Sequence, residues 1–167
     1  MPDAPRPTPS ALLPGIGIAV GIAVADQASK WLAFSGLEPY EPVSLLPFLN
    51  LTLAFNPGAA FSLLADSGGW QRWLFIGLAV AISGYLLVWL RGVPRSDRIQ
   101  MAGLGGILGG AIGNLIDRVH LGVVIDFIDV HYGGWHWPAF NFADAAITVG
   151  VATILFSVLR DSRSCKK

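Results

Sequence analysis

Residues 99–119 read IQMAGLGGILGGAIGNLIDRV. A bilayer core of about 30 Å needs about 20 mostly apolar residues in a helix, and this run is long enough. Six glycines lie in it: Gly103, Gly105, Gly106, Gly109, Gly110 and Gly113. Gly105 and Gly109, Gly106 and Gly110, and Gly109 and Gly113 are four apart and share helix faces. Small residues at that spacing let neighbouring helices approach closely, so the stretch reads as a helix packed inside a membrane bundle. Its charged residues, Asp117 and Arg118, fall near one end together with Asn114.

The rest of the chain agrees with that reading. The 167 residues are 53% hydrophobic and only 13% charged, with a mean hydropathy of +0.58. Soluble chains carry roughly 25% charge. Three more stretches qualify as spans: about 12–34, 73–90 and 140–159. The expected fold is therefore an all-α membrane protein, a single domain over 1–167 built as a four-helix transmembrane bundle. Trp70, Trp73, Trp89, Trp135 and Trp137 suit interfacial aromatic belts. The proline-rich start, MPDAPRPTPS, lacks the basic start and cleavage site of a removed signal peptide. It is expected to be a short disordered lead.

Basic residues set the expected orientation. Arg91, Arg95 and Arg98 lie between spans two and three, and Arg160, Arg163, Lys166 and Lys167 lie in the tail. The positive-inside tendency puts that loop and both termini in the cytoplasm. The long loops, about 35–72 and 120–139, then face outside. The first is too long for a plain connector; its apolar, β-prone residues around Leu45–Phe55 predict a small extended platform.

Topology gathers the polar residues. Asp26 and Lys30 end span one, Asn114, Asp117 and Arg118 end span three, and Asn141 and Asp144 begin span four. Asn56, Asp126 and Asp129 lie in the outer loops. An aspartate at the membrane centre costs about 2.5–3.5 kcal/mol on insertion scales, so such groups at one level suggest a shared site. Asp26 and Lys30, four apart on a helix, can form an ion pair. Asp117 and Arg118 are adjacent, do not face each other and should each pair elsewhere. Asp126 and Asp144 have no basic neighbour in sequence. A solvated or helix-capping carboxylate is one reading of each, and at a helix start the dipole would favour Asp144.

Several chemistries are excluded or weakened. Net charge is zero and no basic patch is interleaved with aromatics, so nucleic acid is not an expected partner. There is no GxSxG, no GxxxxGK[ST] and no HExxH. His120, His131 and His136 read as interfacial loop residues rather than metal ligands, and no cofactor is implied. Cys165 is an incidental tail thiol. Two carboxylates within about 3 Å can share a proton. The ionised one can then deprotonate water while the other donates to a carbonyl. Intramembrane carboxylates also serve proton relays, and a small proton-coupled transporter is the competing reading.

The motif order resembles lipoprotein signal peptidase, or signal peptidase II. The matching stretches are DQASK (26–30), FNPGAAFSLL (55–64), GGAIGNLIDR (109–118), VIDFIDV (124–130) and PAFNFADAAITVG (138–150). The resemblance implies a bacterial inner-membrane aspartic endopeptidase. Such enzymes remove signal peptides from diacylglyceryl-modified prolipoproteins, cutting before the substrate's lipid-modified cysteine. It implies Asp126 and Asp144 as the catalytic pair. Asn56, Asn114, Arg118 and Asn141 take roles in support or substrate contact, and Asp26, Lys30, Gly110 and Asp117 take structural ones. Asp129 is left out. No metal or cofactor is implied, and a monomer in membrane lipid suffices. The first outer loop becomes a platform under the substrate. The second becomes a flap over the site, positioned by Trp135 and Trp137.

Overall fold

The computed structural model describes residues 10–58 and 69–164, with side chains to residue 160. The 1–9 lead, residues 59–64 of the FNPGAAFSLL motif, the Arg163 side chain, and Cys165, Lys166 and Lys167 lie outside the described residues.

Four helices long and apolar enough to cross a membrane occur among the described residues. They are α1 (Leu12–Gly36), α2 (Trp70–Gly92), α3 (Arg98–His120) and α4 (Phe142–Ser164). Between them lie β1 (Val43–Leu46), β2 (Leu49–Asn56), β3 (Val124–Tyr132) and β4 (Trp135–His136). The strands form one antiparallel sheet in the order β1-β2-β3-β4.

α3 is the centre of the bundle, because its glycines leave no side chains to hold its neighbours away. A Cβ on Gly109 would stand 2.6 Å from Ala19 O and 2.8 Å from Ile22 Cβ, both on α1. One on Gly103 would stand 2.9 Å from Ile154 Cδ1, on α4. One on Gly110 would collide with Ala143 O in the first turn of α4. The glycine faces thus serve packing within the bundle, as read from the sequence. At the opposite end from the sheet, Leu86, Leu90, Leu104, Leu108 and Ile154 make the apolar core.

The platform differs from the expected one. Residues 124–132 were expected in a separate flap over the site. They form β3, an interior strand paired with β2, with Ala54 opposite Asp126 and Asn50 opposite Asp129. The physical reason is burial: VIDF is buried residue by residue, on both faces of the strand, as an interior strand requires. The fourth span starts at Phe142, two residues later than its expected start, because Phe140 is claimed by the sheet. Phe127 and Ile128 N–H both donate to Phe140 O, and Phe140 N–H donates back to Ile128 O.

Candidate active site

The site forms where the sheet meets the C-terminal ends of α1 and α3 and the start of α4. Asn141 is the residue before α4, and Asp144 is the third residue of the helix. Asp144 N–H donates to Asn141 Oδ1 at 2.9 Å, and Asn141 N–H donates to Asp144 Oδ2 at 3.2 Å. This reciprocal pair is a capping box, which satisfies N–H groups that a helix start leaves orphaned. The dipole-favoured cap weighed for Asp144 is therefore present.

Asp144 does more than cap. Its Oδ1 accepts from Asn114 Nδ2 at 2.8 Å. Asn141 turns its own amide to the second carboxylate and donates to Asp126 Oδ1 at 2.7 Å. Asp126 Oδ2 accepts from Asn56 Nδ2 at 3.0 Å. Asn56 is diagonal to Asp126 across β2 and β3, a separation that long side chains can bridge. Asp126 and Asp144 thus border one cavity of about 590 Å³, with Asn56, Asn114 and Arg118 in its wall.

The electrostatics of Asp126 follow from that setting. Burial and then the nearby Asp144 charge push its carboxyl up to about 7. Hydrogen bonds from Asn56 and Asn141 and the charge of Lys30 pull the other way. Three residues on, Asp129 turns away from the cavity. Burial would raise its carboxyl, but bonds from His136 and Asn50 outweigh that and hold it below the usual range. His136 Nδ1 lies 2.8 Å from Asp129 Oδ1. No group of three histidine, cysteine, aspartate or glutamate residues is placed to hold a metal among the described residues.

Arg118 lines the cavity but reaches for the backbone. Its guanidinium donates to Gly58 O at 3.1 Å and lies over the Phe75 ring at 5.2 Å. Gly58 N–H in turn donates to Asn56 Oδ1 at 3.0 Å. Arg118 therefore holds the turn that presents Asn56 to Asp126.

Asp26, Lys30 and Asp117 meet behind the cavity. Lys30 Nζ is 2.8 Å from Asp26 Oδ2 and from Asp117 Oδ2. It also donates to Asn114 Oδ1 at 2.8 Å. An ammonium can face only the oxygen of an amide, so Asn114 Nδ2 is turned toward Asp144.

Some contributors were not read from the sequence. Gln27 donates to Asp117 Oδ1 at 2.8 Å. Arg72 closes the end of α3 by donating to Arg118 O and Val119 O, each at 2.8 Å. A basic group on the last carbonyls of a helix is favourable. Trp137, Pro138, Phe140 and Ile147 give the cavity its apolar wall. Trp137 carried a signal as one of an interfacial pair, while Pro138, Phe140 and Ile147 stood in the PAFNFADAAITVG motif without a role of their own. Trp135 stands edge-on to it at 5.8 Å.

The model of the signal peptidase II family matches residues 18–160. A lipoprotein signal peptidase of Polynucleobacter necessarius is 51% identical over 151 residues, covering 90% of this chain and 92% of that protein. One from Paraburkholderia phymatum is 45% identical over 162 residues, covering 96% of each. A solved bacterial membrane enzyme superposes with a TM-score of 0.84 at 30% identity, covering 98% of this chain and 97% of its own. A second gives 0.79 at 29% identity, covering 94% of this chain and 99% of its own.

Proposed function

The chain belongs to the signal peptidase II family, and from that premise we propose that Asp126 and Asp144 are the catalytic pair of its peptide hydrolysis. The protein is a multi-pass membrane hydrolase of the aspartic protease type that removes signal peptides from lipoprotein precursors. The observation that carries the residue assignment is Asn141. One residue bonds both carboxylates at the edge of one cavity.

In the proposed mechanism Asp126 holds the shared proton at neutral pH, consistent with its raised carboxyl. Asp144, in the first turn of α4, is the partner that acts as base. A water between them gives a proton to Asp144 and attacks the scissile carbonyl, while Asp126 protonates the carbonyl oxygen. The tetrahedral diol then collapses. Its hydroxyl proton returns to Asp126, Asp144 passes its proton to the leaving nitrogen, and the C–N bond breaks. Water and peptide become acid and amine, with both carboxyls restored.

The substrate is a diacylglyceryl-modified prolipoprotein, cut before its lipid-bearing cysteine. The apolar wall along Ile147 and Val149 of α4 supports entry from the bilayer. The enzyme works as a monomer surrounded by lipid. The site faces away from the cytoplasm in the bacterial inner membrane, with both termini cytoplasmic; the basic α2–α3 loop at the far end of the bundle supports this.

The test is cleavage of a purified diacylglyceryl-modified prolipoprotein by Asp126→Asn and Asp144→Asn. Each is expected to lose at least about 10³-fold in rate, within the range for losing an acid–base group. A near-wild-type rate in either variant would remove it from the pair.

A further inference from the structure

The backbone N–H of the residue before each proposed catalytic aspartate donates to a carboxylate of the same buried ion cluster. Ala143 N–H, preceding Asp144, donates to Asp26 Oδ1 at 2.9 Å. Ile125 N–H, preceding Asp126, donates to Asp117 Oδ2 at 3.1 Å. Lys30 joins the two acceptors at 2.8 Å each. Its third donor position goes to Asn114, which bonds Asp144. Asp26, Lys30 and Asp117 are 0%, 2% and 3% exposed.

We propose that Asp26, Lys30 and Asp117 are positioning residues that set the separation of the two catalytic carboxylates. They grip β3 and α4 one residue upstream of each.

Stability alone is a poor reason for such a cluster. Buried ion pairs are often no more stabilising than well-packed apolar residues, and charged groups are costly at membrane depth. Geometry is a better reason. Asp126 rides on a strand and Asp144 on a helix, and these elements are held apart in sequence by the hairpin and the 137–140 segment. A single Cα–Cα step of about 3.8 Å separates each gripped residue from its aspartate, so little play intervenes. Displacing a reacting group by 1 Å can cost about 10²-fold in rate. Proton sharing also depends on the separation of the two carboxylates. Among the described residues, the other charged group lining the cavity is Arg118 of α3, whose guanidinium is turned to Gly58 O and the Phe75 ring.

The inference rests on the assignment of Asp126 and Asp144, so Asp126→Asn and Asp144→Asn are measured alongside. If these keep activity, the assignment fails. If they are inactive while the cluster variants match wild type, only the bracket fails.

The cluster variants are Asp26→Asn and Asp117→Asn. Each keeps an oxygen for the backbone N–H but weakens the grip of Lys30. Purified protein is assayed with diacylglyceryl-modified prolipoprotein across pH, with thermal melting in the same detergent. The expected result is a kcat at least about tenfold lower with KM within about twofold, the signature of lost transition-state geometry. The alkaline midpoint of the kcat profile also moves, while the protein still melts cooperatively. A folded variant with wild-type kcat and pH profile would overturn the proposal. So would a rate loss that only follows the folded fraction. If neither variant folds, Gln27→Ala decides. It trims a contact to Asp117 at 2.8 Å and should lower kcat about two- to fivefold with the same midpoint shift; no change in either would overturn the bracket.

Discussion

Asn141 and Asp144 cap α4 reciprocally, each accepting the other's backbone N–H through its side chain, at 2.9 and 3.2 Å. The same Asn141 amide donates to Asp126 at 2.7 Å. One residue therefore serves both the helix start and the proposed pair, and the two duties can be separated. Asn141→Ala loses both, including about 1 kcal/mol for the cap. Asn141→Ser keeps a cap but is too short to hold Asp126. We expect Ser to recover most of the melting temperature lost in Ala, while both lose on the order of 10²-fold in kcat. Full activity in the Ser variant would deny Asn141 any part in positioning Asp126.

Asp126 should titrate near neutrality. Its carboxyl sits at about 7 in the fold, against 3.8 for an aspartate in an unfolded chain. The fold therefore binds an extra proton between those values. The associated stability is complete below 3.8 and is lost as pH rises through about 7. Two outcomes follow. kcat/KM falls as pH rises through about 7, because Asp126 then lacks the proton it gives to the carbonyl oxygen. Asp126→Asn gains thermal stability over wild type, more at pH 8 than at pH 5, with a ceiling of about 4 kcal/mol. Carbon-13 titration of the labelled carboxyl checks the value directly, and Asp144→Asn should lower its midpoint by removing the neighbouring charge. A midpoint near 4 in the wild type would reject the shared-proton scheme.

The glycine faces of α3 predict an asymmetric substitution series. Gly109→Ala places a methyl against the α1 backbone, which cannot move aside as a side-chain end can. Overpacking typically costs about 1–3 kcal/mol, and this site belongs at or above the upper end. Gly17→Ala and Gly84→Ala meet nothing within 4 Å and should leave the melting temperature unchanged or slightly higher. Equal melting temperatures for Gly109→Ala and Gly17→Ala would mean that the α1–α3 approach is looser than it stands here.

Trp137 and Trp135 should separate in function. Trp137 lines the cavity, and Trp135, which is not among the described lining residues, stands edge-on to Trp137. Trp137→Ala is expected to raise KM about five- to tenfold, as about 1–1.5 kcal/mol of apolar contact would do. Trp135→Ala should change KM less than twofold. The reverse order would reassign the contact to the exposed hairpin.

Much was legible in the chain because a bilayer leaves few options. A long apolar run must be a spanning helix, and polar residues within it stand out by their cost. That logic located all four spans and collected Asp26, Lys30, Asn114, Asp117, Arg118, Asn141 and Asp144 at one end. The sheet was read only in part. Periodicity marks a β-prone segment, but partner and register depend on contacts distant in the chain. Nothing in VIDFIDV says that it pairs with residues 49–56, so residues 124–132 of the expected flap proved to be a strand of the sheet. Gln27 and Arg72 were missed for the same reason: each acts on a group at least 46 positions away.

By itself, the sequence determined the four-span topology, the central glycine helix, and which polar residues share one end. It did so because hydropathy and helical spacing are local properties. Tertiary structure alone decided how those residues connect: Asn141 to both aspartates, Arg118 to the turn behind Asn56, and the Asp26–Lys30–Asp117 cluster to the backbone beside each aspartate. These are distances between separate elements, set by glycine-mediated helix contact and by strand register, and no local pattern encodes them.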